Sequence, residues 1–326
     1  ACQNVVTTLV TGTDGSAVTD KALTVGNYWI KETQAPEGYE IDDQTAHKVT
    51  VTEQNTVNAP AFGGEWPDTE KKAEAKFDAK KVVSGLTGDP SKYTFTLTAV
   101  DNAPMPDAPG NKVTVGAGET GNFGTITFGY THLGKGNDTA VFTYNVTEDT
   151  PVSPMEGMTY DTASHPVTVT LHWDSATGTL TATPSTETAA VELTNLYESG
   201  HIKVTKTDVK DSKNLAGAVF TVYKTSACNA ADVVATLTTT DDGSAETAEA
   251  LPVGTYWIKE TQAPAGYEMD DPAAHEVTVT ADNTATSPVS LTFTDTEMTA
   301  EAQFQVKKTL TNDPGSSEKF SFTLRA

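Results

Sequence analysis

Basic residues are scarce in this sequence of 326 residues, where 21 Lys and Arg face 44 Asp and Glu and give a formal net charge of −23 at pH 7. Nucleic acids and anionic membrane surfaces repel so acidic a chain, which excludes both as partners. Long hydrophobic runs are also missing, since no stretch approaches the roughly 18 apolar residues of a membrane helix. We therefore predict no membrane insertion in this segment.

Cysteine is almost absent as well, with Cys2 and Cys228 alone. Two cysteines are too few for a disulfide-dense scaffold or a four-cysteine zinc site. Cys228 has no partner within its own predicted domain, so we expect a free thiol, with an inter-chain disulfide as the alternative. The acidic pairs at 241–242 and 270–271 lack the EF-hand pattern and read as turns. We predict no metal and no cofactor.

The sequence that remains is typical of β-structure. Hydrophobic residues make up 37% and charged residues 20%, which is too apolar for a disordered acidic tail. Apolar and polar residues alternate in runs such as 201–206 and 166–171, and turn signals such as Asp242-Gly243 separate the runs. Many short strands at this spacing predict tandem β-sandwiches.

An internal repeat sets the organisation. YWIKETQAPEGYE at 28–40 returns as YWIKETQAPAGYE at 256–268, and FDAKK at 77–81 returns as FQVKK at 304–308. The period near 228 residues is too long for one solenoid unit, so each repeat is interpreted as two domains. Both ends then fall inside domains, and we expect a segment cut from a longer chain.

Four domains of two types follow from this repeat, and the names type A and type B are kept below. Residues 1–68 are the C-terminal part of a type-A domain, and residues 69–198 are a complete type-B domain. Residues 199–297 are a complete type-A domain. Residues 298–326 are the N-terminal strands of another type-B domain.

Each complete domain has ionisable or amide side chains where the apolar face of a strand should continue. Every second residue of a strand lies on the same face. On the apolar face of the first strand this series ends at an amine, on that of a middle strand at an acid, and on that of the last strand at a carboxyl or carboxamide group. A polar residue at a strand end can simply reach water, but two dissimilar domains carry the same set in the same order. The residues are Lys81, Glu148 and Asn195 in type B, and Lys206, Glu260 and Asp295 in type A.

Strand phase selects one lysine from each neighbouring pair. Lys81 rather than Lys80, and Lys206 rather than Lys203, falls in step with the apolar residues.

This trio of residues has the chemistry of amide formation between side chains. A buried Lys loses its charge and becomes a nucleophile, and a buried Glu can stay protonated. We expect the Glu to hydrogen-bond the target carbonyl and to carry the proton from the amine to the leaving group. Asn195 would release ammonia, and a protonated Asp295 would release water. Because each bond forms once per molecule, this is not an enzyme in the turnover sense.

The type-A segments resemble the collagen-adhesin B-type (Cna B, SpaA-like) domain of Gram-positive surface proteins. HIKVTKTD, LAGAVFTVY, LPVGTYWIKETQAPAGYE and LTFTDTE carry the likeness. In that family a first-strand Lys, the Glu of the E-T-x-A-P segment and a terminal Asn or Asp form the bond, which implies Lys206, Glu260 and Asp295. In the partial first copy the resemblance implies Glu32 and Asp68, with the Lys upstream of residue 1.

The type-B segment resembles the isopeptide-linkage domain of streptococcal major pilins, through FDAKKVVSG, FTYNVTED, GMTYDTASHPVTVTL and VELTNLYE. That likeness implies Lys81, Glu148 and Asn195, and it assigns Lys308 to the same role in the final fragment. Together the two resemblances imply an all-β chain of tandem immunoglobulin-like or prealbumin-like β-sandwich domains in an elongated rod.

Three functions were weighed. The first is a stalk or shaft segment of a Gram-positive adhesin or pilus-like filament, extracellular and on the cell wall. Its partners would be neighbouring repeats of the same longer chain, with lateral copies or host surface ligands as further partners. The alternative is a host-matrix or glycan-binding adhesin module. An enzyme such as a glycosidase with paired carboxylates ranks third, because no phosphate loop, zinc motif or nucleophile elbow is present.

Tandem repetition favours a long single-chain stalk over a sortase-polymerised pilin, and this segment holds no LPxTG-type sorting signal.

Overall fold

The computed structural model describes residues 4–107, 110–186, 189–300, 302–311, 315 and 319–325. The chain divides into two compact units, 1–197 and 198–326. Strands build both units, and the helices in the described residues are two short 3-10 turns at Tyr130–Leu133 and Ala230–Asp232. The prediction of an all-β chain of tandem sandwiches is confirmed.

The described residues of the first unit form thirteen strands in four sheets. The two larger sheets have the orders β10-β13-β5-β8 and β12-β11-β9-β6-β7, and the two small sheets pair β1 with β3 and β2 with β4. The strands are β1 (Gly26–Ile30), β2 (Tyr39–Glu40), β3 (His47–Val51), β4 (Thr69–Glu70), β5 (Lys72–Ser84), β6 (Lys92–Ala99), β7 (Lys112–Gly116), β8 (Thr120–Gly129), β9 (Thr139–Glu148), β10 (Met158–Thr159), β11 (His165–Asp174), β12 (Thr179–Pro184) and β13 (Val191–Tyr197).

Ten strands are formed by the residues of the second unit that the structure describes. Its two larger sheets have the orders β18-β15-β23-β21 and β17-β16-β20-β22, and a small sheet pairs β14 with β19. The strands are β14 (Ser199–Gly200), β15 (Ile202–Asp208), β16 (Val219–Tyr223), β17 (Val233–Thr238), β18 (Ser244–Glu246), β19 (Leu251–Pro252), β20 (Gly254–Gln262), β21 (Tyr267–Glu268), β22 (Ala274–Val279) and β23 (Val289–Glu297).

Alternate residues of the strands form one apolar core in each unit, as their period of two requires. Strand β5 shows the pattern clearly, since Ala73, Ala75, Phe77 and Ala79 are buried while the residues between them are more exposed. Each core is enclosed between its two larger sheets. The core of the first unit includes Phe95, Phe128, Tyr144, Leu171 and Leu193, and that of the second includes Val204, Phe220, Tyr256, Ile258 and Phe293.

First and last strands are neighbours in both complete sandwiches, and they run parallel. Strand β5 pairs with β13 so that Lys81 lies opposite Leu193. Strand β15 pairs with β23 so that Lys206 lies opposite Phe293. The residue two positions after each opposing residue is Asn195 or Asp295. Because side chains two apart share a face, both targets lie on the core side, one step along from the lysine.

The partial type-A segment packs within the first unit. Gly38 has φ +82 and touches Tyr130 so closely that a Cβ atom would lie 2.0 Å from the ring. The indole Nε1 of Trp173 donates to Glu37 Oε1 at 2.9 Å. At the other end of the chain, the described residues after β23 form no strand, although their sequence alternates.

Candidate cross-link sites

The predicted type-B trio converges inside its sandwich. The lysine Nζ of Lys81 lies 2.5 Å from Glu148 Oε2, and the amide Nδ2 of Asn195 donates to Glu148 Oε1 at 2.8 Å. Lys81 and Asn195 are completely buried, and the side chain of Glu148 is 1% exposed. The carboxyl group of Glu148 therefore bridges the amine and the amide nitrogen, one oxygen to each.

The predicted type-A trio converges in the same way. Lys206 Nζ lies 2.6 Å from Glu260 Oε2 and 2.5 Å from Asp295 Oδ1, and it donates to the carbonyl oxygen of Thr294 at 3.1 Å. All three side chains of the trio are completely buried. In each sandwich an amine, an acid and the acyl group predicted to react with the amine thus share one buried site.

Two buried carboxyl oxygens of the type-A site have no hydrogen-bond partner within the described residues: Glu260 Oε1 and Asp295 Oδ2. Desolvation is the main cause that raises the pKa of Glu260, and the charge of Asp295 raises it further. Buried polar atoms are normally paired. One proton shared by the two carboxyl groups would satisfy both oxygens.

Burial shifts the pKa values of this machinery in the direction that bond formation requires. Desolvation lowers the pKa of Lys81, against the opposing effect of Glu148. Desolvation likewise raises the pKa of Glu260 to about 7, against the opposing effect of Lys206. A less basic amine is a better nucleophile near neutral pH, and a protonated carboxyl group can donate a proton.

An aromatic ring lies beside each lysine amine. Nζ of Lys81 is 4.7 Å from the ring centre of Tyr93, and Nζ of Lys206 is 5.9 Å from that of Phe220. Each ring belongs to the strand in the opposite sheet that follows the lysine strand in sequence. Nothing in the sequence marked these rings as neighbours of the amine.

The target carbonyl has a partner that the sequence did not reveal. We expected the glutamate to hydrogen-bond this oxygen. In the structure the backbone N–H of Asp161 donates to Asn195 Oδ1 at 2.8 Å, and that of Asp270 donates to Asp295 Oδ1 at 3.1 Å. A backbone donor carries no residue-type signal, so its position could not be predicted from composition or spacing.

The neighbouring lysines occupy a different environment. Lys80 is 40% exposed and donates to Glu192 at 2.9 Å. Lys203 is partly exposed and lies opposite Glu246 in the pairing of β15 with β18. Only the lysines selected by strand phase face the cores.

Further predicted site residues lie before β4 and after β23. Desolvation is the main cause that raises the pKa of Glu32, and the charge of Asp68 raises it further. One buried oxygen of each, Glu32 Oε2 and Asp68 Oδ1, has no partner within the described residues. Lys308 lies with its Nζ 5.8 Å from the ring centre of Phe320. Those two residues correspond to Lys81 and Tyr93 in the type-B repeat.

Other kinds of site are not evident in the part of the chain that is described. No cluster of three or more His, Cys, Asp or Glu residues there could hold a metal ion. Within the same residues no helix has the length and apolar character of a membrane span. Cys228 has no disulfide partner among them, and Cys2 lies outside the described residues.

Family models match most of the chain. The SpaA prealbumin-like fold domain matches residues 2–61 and 200–297. The Spy0128-like isopeptide-containing domain, also called FctA, matches residues 77–198. These matches confirm both resemblances found in the sequence. Among curated proteins no relative matches.

Similar solved structures include a protein of Bacillus anthracis and two streptococcal pilins. The TIE protein of Bacillus anthracis has 20% identity and a TM-score of 0.38, over 89% of this chain and 45% of that one. The major pilin of Streptococcus pyogenes has 15% identity and a TM-score of 0.37, over 69% and 98%. The minor pilin of Streptococcus agalactiae has 15% identity and a TM-score of 0.28, over 71% and 100%. This chain therefore spans less than half of the TIE protein.

Proposed function

Because this chain is built of SpaA prealbumin-like domains and a Spy0128-like isopeptide-containing domain, we propose that it is a structural segment of a Gram-positive surface stalk or pilus-type filament. Its two complete sandwiches are strengthened by intramolecular isopeptide bonds, Lys81 to Asn195 and Lys206 to Asp295. One observation carries the proposal: two sandwiches of different families each bury a lysine amine, a glutamate and an acyl target in contact between their first and last strands.

The type-B reaction begins with transfer of the Lys81 proton to Glu148, whose Oε2 lies against the amine. The neutral Nζ attacks Cγ of Asn195, and the carbonyl electron pair moves to Oδ1. Glu148 then delivers its proton to Nδ2 through Oε1 and takes a second proton from the newly bonded Nζ. The bond from carbon to Nδ2 breaks, ammonia leaves and the new amide remains.

The type-A reaction differs in its leaving group. The neutral Nζ of Lys206 attacks Cγ of Asp295. In the whole reaction Nζ loses two protons and Oδ2 of Asp295 gains two, so that the bond from Cγ to Oδ2 breaks and water leaves. Glu260 is the proton carrier, because its Oε2 contacts the amine and its pKa of about 7 keeps it partly protonated at neutral pH. The folded sandwich fixes the reacting groups in contact, so proximity supplies most of the rate.

The bonds join the strands through which tension passes. Strands β5 and β13 are adjacent and parallel, so a pull on the start of β5 and the end of β13 shears one past the other. A covalent bond between them carries the load before the hydrogen bonds fail. The residues from 81 to 195 (195 − 81, or 114) and from 206 to 295 (295 − 206, or 89) are then protected from extension.

Single-molecule pulling tests this function directly. With both bonds formed, the two sandwiches should not extend when the chain is held by its ends. Glu148→Ala should release roughly 400 Å and Glu260→Ala roughly 300 Å, at about 3.3–3.6 Å for each freed residue. Glu192→Ala and Glu276→Ala are the matched controls, because both glutamates lie on strands of the same sandwiches and point outward. Equal extension in wild type and in the Glu148 and Glu260 variants contradicts the proposal.

A further inference from the structure

A loop covers the target carbonyl in both complete sandwiches. In type B it is the segment between β10 and β11, where Asp161 N donates to Asn195 Oδ1 at 2.8 Å. In type A it is the segment between β21 and β22, where Asp270 N donates to Asp295 Oδ1 at 3.1 Å. Two different families thus place a backbone N–H on the same reacting oxygen.

This donor fixes which target atom is the carbonyl oxygen. A backbone N–H can only donate, so the Asn195 atom that faces Asp161 is oxygen and the Nδ2 group faces Glu148. The type-A site divides its contacts similarly, since Asp270 N contacts Oδ1 of Asp295 while Oδ2 has no donor within the described residues. In type B, Glu148 therefore contacts the leaving nitrogen and the loop donates to the oxygen. In type A, the loop donates to Asp295 Oδ1, which also lies 2.5 Å from Lys206 Nζ.

The loops have a common construction. Asp161 Oδ1 accepts from Ala163 N at 3.0 Å, and its Oδ2 lies 3.0 Å from His165 Nε2. Asp271 Oδ1 accepts from Ala273 N at 3.0 Å, and its Oδ2 lies 2.8 Å from His275 Nε2. The sequences are DTASH and DPAAH, and the partial type-A segment has DQTAH with the same contacts around Asp43.

Each loop is also tied to the last strand beside the target. Thr194, the residue before Asn195, donates its N–H to Asp161 Oδ2 at 3.1 Å. Thr296, the residue after Asp295, donates its hydroxyl to Asp270 Oδ2 at 2.8 Å. These contacts hold the loop at a fixed distance from the reacting carbon.

We propose that the backbone N–H groups of Asp161 and Asp270 are the oxyanion donors of isopeptide formation, and that the Asp-to-His turn positions them. The inference rests on the proposed function. When the lysine Nζ attacks Cγ, negative charge develops on Oδ1, and a donor already in place stabilises it. When the bond to the leaving nitrogen or oxygen breaks, the electron pair returns from Oδ1 and the carbonyl is restored. The N–H donates throughout and loses no proton.

The type-A site separates the donor from the turn, because Asp270 supplies the N–H and Asp271 holds the turn. Asp270→Ala removes the carboxylate that binds Thr296 and keeps the N–H. Asp270→Pro removes both. The difference between these two variants therefore isolates the N–H donor.

The experiment follows bond formation in freshly made chains. Translation is stopped, aliquots are quenched in acidic denaturant, and the masses of proteolytic fragments report each bond. We expect Asp270→Pro to form the Lys206–Asp295 bond about 100-fold more slowly than Asp270→Ala. The Lys81–Asn195 bond of the same chains should form at its normal rate. Equal rates in the two variants, both folded, overturn the inference.

A proline also restricts the residue before it, so folding needs its own measurement. In a Glu260→Gln background, which forms no type-A bond, the two Asp270 variants should melt at the same temperature. If the proline variant melts at a lower temperature, two variants at Asp271 test the inference instead. Asp271→Ala should slow bond formation roughly tenfold through misplacement of the donor. Asp271→Asn keeps the oxygen that accepts from Ala273 and should restore the rate. Equal rates for that pair overturn the inference.

Failure of the proposed function has a different result. A wild-type chain that forms neither bond refutes the isopeptide proposal itself. A wild-type chain that forms both bonds, with no effect of the Asp270 or Asp271 variants, refutes the oxyanion donor alone.

Discussion

The two complete sandwiches bury the same arrangement of a lysine, a glutamate and a candidate target, but the target residue differs. In type B the candidate target is a carboxamide, whose Nδ2 donates to Glu148 and whose Oδ1 accepts from Asp161. In type A the candidate target is a carboxyl group, and two buried oxygens have no hydrogen-bond partner among the described residues. Under the proposed reaction, the amide site already contains every proton that is needed. The acid site needs one more proton, which Glu260 and Asp295 would share.

The comparison shows which features the two sites share and which feature differs. Both sites keep the lysine on the first strand, the target two residues beyond its partner on the parallel last strand, the glutamate between them and an N–H on the carbonyl oxygen. The identity of the leaving group varies. Geometry is therefore the common requirement, and proton supply is the adjustable part.

Loss of the glutamate should have the largest effect. Glu148→Ala should abolish the type-B bond and Glu260→Ala the type-A bond, because each substitution removes the group that carries protons from the amine to the leaving atom. The mass of each variant should rise by one ammonia or one water beyond the substitution itself. Each lost bond should lower the free energy of unfolding by about 4–5 kcal/mol, by the loop-closure estimate for disulfides of this span. Each variant should leave the other bond intact, and loss of both bonds would contradict independent sites.

Exchange of the targets should be the next largest effect. Asp295→Asn should still form a bond, now with loss of ammonia, and Asn195→Asp should form one with loss of water. The target residue, and not the type of domain, then determines which molecule is released. Fragment masses distinguish the outcomes, and a failure of both exchanged sites would show that each family's site is specific for its target.

Rising pH should slow one site only. The pKa of Glu260 is raised to about 7 by burial, so the carboxyl pair holds its shared proton below that pH and loses it above. The rate of the type-A reaction should therefore fall as pH rises through 7, approaching tenfold for each pH unit. Asp295→Asn should remove this dependence, since an amide target needs no added proton. A type-A rate that increases through pH 7 would contradict the shared proton.

The smallest expected effect concerns the ring beside the amine. Tyr93 carries a hydroxyl that donates to Asp89 at 2.5 Å, while Phe220 has no such group in the equivalent place. Tyr93→Phe should therefore form the bond with normal yield and lower the free energy of unfolding by about 1 kcal/mol, the usual contribution of one hydrogen bond. Tyr93→Leu removes the ring and should reduce the yield, which fragment masses would show.

The sequence predicted the strands and the inward side chains well, because period-two alternation follows directly from the pleat. The alternation along β5 and β15 selected Lys81 and Lys206. Both are more buried than the neighbouring lysines that it rejected, Lys80 and Lys203. The parallel contact of first and last strands was implied only by the expected bond. Register, which sets the target two residues beyond the lysine, comes from tertiary pairing that no local pattern encodes.

The carbonyl donors show the limit of sequence reasoning. Asp270 and Asp271 read correctly as turn residues, yet the turn's position over Asp295 depends on the packing of distant strands. A signal was nevertheless present, since an aspartate is followed four residues later by a histidine in all three loops. Recurrence of that spacing in two unrelated domain types was the available evidence.

The intact mass of the purified wild-type chain in denaturant tests the central claim most directly. The account predicts a mass lower than that of the sequence by one ammonia and one water, with fragments that join Lys81 to Asn195 and Lys206 to Asp295. A mass equal to that of the sequence, with both pairs recovered on separate fragments, would contradict it.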